Sequence, residues 1–231
     1  MPPARVGHIV KPRELIATAQ IPGGEELRLY KRDTEYTIAL GPNELMSSRL
    51  SGSEEGLALL TCDRLRTEAP HLLIGGYGMG FTLRAAQERL GPQARFTVVE
   101  IVPEIMEWAR GPMADLTANC LDDPRVELLE RDVVRIIRHA SRAYDAILLD
   151  VDNGPDGLTR ADNDELYSIH GLNAAKVALK SGGVLAIWSA APDERFARRL
   201  KHVGFDVEEV MVRAGRGGKG ARHLIWFARV G

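Results

Sequence analysis

Apolar and polar positions follow two regimes along the chain. From about residue 14 to 40 they alternate with a period of two. Leu27 and Leu29 sit between charged neighbours, and Tyr36, Ile38 and Leu40 continue the pattern after the turn cluster Pro22-Gly23-Gly24. This predicts short strands, the first over Glu14–Gln20, in a small antiparallel sheet that ends at Gly41-Pro42-Asn43. Ser51 or Ser53 then caps a helix running to about Arg66, with Glu54 and Glu55 in the first turn, where the helix dipole favours acids.

From His71 the period changes. Short, nearly continuous apolar runs at His71–Ile74, Phe96–Val99, Val126–Leu129, Tyr144–Leu149 and Val184–Trp188 alternate with helical patterns at 81–90, 103–110, from Val133, 164–179 and 193–202. Strands that are apolar on both faces and alternate with helices predict a mostly parallel sheet covered on both sides. Two final strands, Phe205–Val212 and His223–Val230, have no helix between them, so they pair as an antiparallel hairpin at one edge. The expected fold is α/β and Rossmann-like: a seven-stranded sheet with a C-terminal hairpin over 51–231, preceded by a small β region over 1–50.

Composition changes this picture little. The 231 residues carry 27% charged and 45% hydrophobic residues and a formal net charge of −2. That is ordinary for a globular protein and gives no global basic field for nucleic acid. The basic stretch Arg213–His223 is the one local exception, and the flanking strands account for it as a hairpin connection. Cys62 and Cys120 form no CxxC pair and have no metal-ligand spacing, so reduced thiols and no metal are expected. No stretch approaches the roughly 20 apolar residues of a membrane span, and a cytoplasmic location is the default expectation.

The chemistry gathers at strand ends. Gly75-Gly76-Tyr77-Gly78-Met79-Gly80 lies between a strand and a helix, where glycines permit a tight turn and close backbone approach to a ligand. Glu100 follows Gly80 by 20 residues, at the end of the next strand, and can accept hydrogen bonds from ribose hydroxyls. Asp132 ends the third strand, placed either to accept from an adenine amino group or to cap the next helix. Ile101 and Val133, beside these acids, complete the expected cofactor contacts. Asp150 and Asp152 follow the fourth strand, where open α/β sheets bind ligands; Asp150 is the candidate base or acceptor-orienting group, and Asp152 is either its partner or part of a turn. Tyr77, Tyr167 and Trp188 are candidate pocket walls, and His170 is a weaker acid–base candidate.

From Leu45 to Val230 the chain resembles the spermidine synthase-like branch of the class I S-adenosylmethionine-dependent methyltransferase superfamily. The resemblance is carried by ELMSSRLSGSEEGLA (44–58), LLIGGYGMGFTLR (72–84), TVVEIVPEIMEWAR (97–110), DDPRVELLERDV (122–133), YDAILLDVDNGP (144–155) and ELYSIHGL (165–172). It implies that the glycine loop cradles the donor's amino-acid part, that Glu100 binds ribose, that Asp132 holds adenine and that Asp150 stands at the reaction centre. It also implies a small N-terminal sheet and a homodimer. Two departures bear on the substrate. Polyamine synthases usually carry GGGDGG in the loop, and Gly78 replaces that Asp; their DSSDP gate becomes Asp150-Val151-Asp152-Asn153-Gly154, with Asn153 at its second acidic position. Losing a desolvated carboxylate weakens an amine site by about 1–3 kcal/mol. The expected reaction is therefore methyl transfer from S-adenosylmethionine to a small-molecule acceptor, for which an amine is one candidate. Aminopropyl transfer from decarboxylated S-adenosylmethionine and non-catalytic cofactor binding are the alternatives.

Overall fold

The N-terminal strands β1 (Glu14–Gln20), β2 (Glu26–Arg32) and β3 (Glu35–Leu40) pair antiparallel in chain order, as their alternation predicts. A fourth strand, β4 (Asn43–Ser47), was not expected. The Gly41-Pro42 turn, with Gly41 at φ +54°, reverses the chain instead of ending the sheet, and β4 returns along β3. Residues 11–151 and 165–231 are described by the computed structural model. Helix α1 (Gly52–Cys62) stops short of Arg66, because the N–H groups of Arg64 and Leu65 turn back to the carbonyls of Thr61 and Cys62.

Beyond α1 the elements are β5 (His71–Gly75), α2 (Phe81–Arg89), β6 (Arg95–Glu100), α3 (Pro103–Arg110), the short α4 (Ala114–Thr117) and β7 (Val126–Glu130). They continue with α5 (Val133–His139), β8 (Tyr144–Leu149), α6 (Ile169–Ala178), β9 (Leu179–Ser189), α7 (Glu194–His202), β10 (Asp206–Gly215) and β11 (Lys219–Arg229). The seven strands lie in the order β10-β11-β9-β8-β5-β6-β7. Strands β5 to β9 run parallel, and β10 and β11 form the antiparallel hairpin at the edge, as expected.

The apolar runs are continuous because this sheet is covered twice. Successive residues point to opposite faces. Leu72 and Ile74 join one core together with α1, α2 and α3, whereas Leu73 joins the other beneath α5, α6 and α7. On β8, Ala146 and Leu148 face the first core and Ile147 and Leu149 the second. Burying a Leu or Ile side chain of this kind contributes roughly 1.5–3 kcal/mol. The first core also takes in Leu27, Leu29 and Ile38, so the N-terminal sheet and the parallel sheet share one apolar interior.

Helix starts bring polar groups to the carboxyl ends of the strands. Asp132 caps α5 by accepting from Val134 N at 2.8 Å, and Asp193 caps α7 by accepting from Arg195 N and Phe196 N. Strand order reverses between β5 and β8. Their ends are joined where Asp150 N donates to Gly75 O at 3.0 Å. This switch point is where open sheets leave a crevice.

Candidate active site

A cavity of about 390 Å³ opens at that crevice, roofed by the N-terminal sheet. Ile21, Leu27, Ile38 and Leu45–Ser47 form one wall. Gly76, Gly78, Glu100, Ile101, Asp132, Val133 and Asp150 form the other, so seven of the predicted site residues meet here. Gly75, Tyr77 and Gly80 support the loop from behind. Tyr77 is buried, with its hydroxyl 3.2 Å from Cys120 Sγ, and a Cβ on Gly80 would lie 2.7 Å from that hydroxyl. Asp152 lies outside the described residues.

The glycine loop is held by its backbone. Gly76 N donates to Val99 O at 2.9 Å with φ at +83°, and a Cβ there would stand 2.5 Å from Asp150 O. Only glycine fits a left-handed residue pressed against a neighbouring carbonyl. Gly78 is also left-handed (φ +55°), and a Cβ on it would meet Met46 Cε at 2.6 Å. The flexible end of the Met46 side chain, from β4, thus lies against the loop at this position.

Glu100 is buried at 6% exposure, and its carboxylate organises the loop. Oε1 accepts from Ile101 N at 2.8 Å and Val102 N at 2.9 Å, and Oε2 accepts from Tyr77 N at 3.0 Å. Burial pushes its pKa up, and the backbone amides oppose that shift. Asp132 performs its capping role with Oδ1 alone; Oδ2 carries no hydrogen bond among the described residues.

Asp150 lines the cavity, and its Oδ2 accepts from Thr82 Oγ1 at 3.2 Å. Burial raises its pKa to about 6, against the lowering effect of Thr82. Glu54, expected only in a helix first turn, lines the same cavity. It is 7% exposed and accepts from Ser53 Oγ at 2.7 Å. Burial first, and the charge of Asp150 second, raise its pKa to about 7. Neither acid forms an ion pair with Lys, Arg or His among the described residues.

His223 also went unrecognised. It comes from β11, sits 3.0 Å from Ser53 Oγ through Nδ1, and packs edge-on to Trp188 with ring centroids 4.7 Å apart. Trp188 lines the cavity, with its indole Nε1 buried and without a hydrogen-bond partner among the described residues. Tyr167 instead packs against Phe196 in the core, and His170 is exposed on α6, away from the cavity. No group of three or more His, Cys, Asp or Glu among the described residues is placed to hold a metal, and no helix among them is long and apolar enough to cross a membrane.

A family profile described as "Spermine/spermidine synthase domain" matches residues 65–196, more than half of the chain. The protein belongs to the spermine/spermidine synthase family. Over 127 residues it is 32% identical to polyamine aminopropyltransferase 1 of Streptomyces coelicolor, covering 53% of this chain and 23% of that protein. Over 121 residues it is 31% identical to polyamine aminopropyltransferase 2 of Hyperthermus butylicus, covering 52% of this chain and 38% of the relative. The matched stretch thus spans well under half the length of these relatives. In fold the chain is similar to a spermidine synthase from Thermotoga maritima, with a TM-score of 0.75 at 20% identity over 94% of this chain and 72% of that one.

These family relatives overturn the expectation of methyl transfer. That expectation rested on acids missing from two local motifs, at Gly78 and Asn153. Charge in a cavity is set by every element that lines it, and Glu54 of α1 supplies a buried carboxyl that neither motif contains.

Proposed function

We propose that this protein is a polyamine aminopropyltransferase, moving the aminopropyl group of decarboxylated S-adenosylmethionine to an amine acceptor of the putrescine kind. The observation that carries the reading is a cavity with two acids toward one side, Glu100 and Asp132, and toward the other the half-buried Asp150 and the buried Glu54, which have no cationic partner among the described residues. Names of the relatives agree with it.

The residues present suit the donor. Gly76 and Gly78 leave backbone where side chains would stand, and Glu100 lines the cavity beside the loop, placed to accept from a ribose hydroxyl. Asp132 Oδ2 is available to the adenine amino group. The apolar wall of Ile101, Val133 and Leu45 suits a purine. The bound donor supplies a sulfonium, whose C–S bond is already activated toward a nucleophile.

The chain's own task is to bind, align and deprotonate. An amine is a nucleophile only without its extra proton, so a base must take that proton before or during attack. Asp150 is placed for this, at the end of β8 beside the loop, with Thr82 fixing one oxygen and the other left open to the cavity. A carboxylate raised to about 6 is a better proton acceptor near neutrality than an ordinary one. The new N–C bond forms as the C–S bond breaks, its electrons go to sulfur as a neutral thioether, and the ammonium proton passes to Asp150. Asp152 is proposed to assist in catalysis, and strands β1 to β4 to act as the roof that excludes water. A homodimer and a cytoplasmic setting remain part of this reading.

The test is to incubate the protein with decarboxylated S-adenosylmethionine and 1,4-diaminobutane and to separate the products by chromatography. Triamine and 5′-methylthioadenosine are expected in equal amounts, and Asp150→Asn is expected to abolish both while retaining nucleoside binding. Absence of triamine with the wild-type protein overturns the reading.

A further inference from the structure

We infer that Glu54 is the second carboxylate of the acceptor's ammonium site and grips the same cationic nitrogen as Asp150. The inference rests on the aminopropyl-transfer reading, because it takes the acceptor to be an amine.

Three observations support it. First, Glu54 is a charged side chain nine-tenths buried, yet it lines the cavity. Ser53 donates to Oε2, and the other hydrogen bond to this carboxyl among the described residues comes from the backbone amide of Glu54 itself. A buried, half-satisfied carboxylate is costly unless something supplies donors or positive charge. Second, Thr82 ties the two acids together. Its hydroxyl lies 3.2 Å from Asp150 Oδ2 and 3.4 Å from the backbone carbonyl of Glu54, so the start of α1 and the end of β8 are held side by side. Third, no Lys, Arg or His among the described residues pairs with either acid; Arg131 lines the same cavity but forms no ion pair with them. His223 is turned to Ser53 Oγ, and burial keeps its pKa low, so it stands neutral at physiological pH.

A primary ammonium meets each of these demands. It brings three N–H donors and one positive charge, enough to serve two carboxylates that line one cavity. Trp188 walls the same space and offers an aromatic surface to a cation. A neutral or anionic acceptor would bring no counter-charge, so the pair could stay ionised only at a cost that protonation would otherwise relieve. Glu54 thereby stands in for the acidic position that Asn153 vacates in the sequence motif, from a different element.

The experiment uses the full chain loaded with 5′-methylthioadenosine, the thioether left after aminopropyl transfer, and titrates it calorimetrically with 1,4-diaminobutane. Wild type, Glu54→Gln and Glu55→Gln are compared. Glu54→Gln is expected to weaken amine binding by about 10-fold or more, to leave the affinity for 5′-methylthioadenosine unchanged, and to slow triamine formation. Glu55→Gln, on the same turn of α1, is expected to match wild type in all three. If Glu54→Gln binds the diamine as wild type does and still makes triamine, the role of Glu54 is refuted while the proposed reaction stands. If it weakens nucleoside and amine equally, Glu54 is a general structural residue and the inference fails. If wild type itself binds no diamine, the proposed reaction falls and this inference with it.

Discussion

Gly76 shows how one atom can matter to the site. Its φ of +83° and the 2.5 Å approach of a virtual Cβ to Asp150 O bring strain and collision to the same place. Gly76→Ala should destabilise the fold by about 1–3 kcal/mol. It should also cut transfer activity beyond what that loss explains, because the colliding carbonyl belongs to the proposed base. Urea unfolding alongside steady-state assays checks this, and a variant with wild-type stability and activity would contradict the geometry. Glu54 and Glu55 teach a different lesson at the same scale. Both satisfy the helix dipole, and nothing in their neighbours in sequence says which one turns inward. Packing of α1 against α2 and the end of β10 decides it, with Gly52 backed so closely onto the carbonyls of Arg213 and Gly215 that a Cβ would stand 2.9 Å from each.

Among the elements, α5 separates structure from ligand binding. Asp132 was read from the sequence with two roles in view, adenine binding or helix capping. Capping is what the structure displays, through Oδ1, and a second oxygen remains for a ligand. Asp132→Ala should lower stability by about 1 kcal/mol through the lost cap. Asp132→Ser, which can still cap, should recover most of that stability but not the nucleoside affinity. Equal nucleoside affinity in both variants and wild type would remove Asp132 from the donor site. β4 was missed because a Gly-Pro-Asn cluster signals a turn without saying whether the chain pairs again afterwards. Its apolar residues Leu45 and Met46 line the cavity and pack against the first core, contacts that are long-range in sequence.

At the scale of the whole molecule, the buried acids tie stability to pH. Glu54, raised to about 7, and Asp150, raised to about 6, hold protons in the folded state that the unfolded chain releases nearer pH 4. Their contribution is present in full below the unfolded pKa and is lost as pH rises through 6 to 7. His71 and His223 work in the opposite sense, since burial lowers their pKa values, so stability tied to them is lost as pH falls. Comparison with Glu54→Gln isolates the acid. The stability difference between wild type and the variant should move against wild type by on the order of 2–3 kcal/mol from pH 5 to 8. Saturating diamine should reverse that trend. Thermal unfolding across this range checks both statements, and a pH-independent difference would mean that Glu54 is ionised throughout.

The order of elements, the parallel sheet, the terminal hairpin and the acids at the ends of β6, β7 and β8 were determined by the sequence itself. Strands covered on both faces must be apolar throughout, and a glycine loop between strand and helix reports a local backbone need; both are properties of neighbouring residues. The family motifs likewise lie in short consecutive runs. What the tertiary structure alone decided is the charge of the cavity. Glu54, Thr82, Asp150 and His223 come from α1, α2, the end of β8 and β11, and Ser53 and His223 lie 170 positions apart in the chain. Motif by motif, the chain had lost acids at Gly78 and Asn153, which pointed to methyl transfer. In the folded molecule a carboxyl from another element occupies the same cavity, because electrostatic fields add in space and not along the sequence.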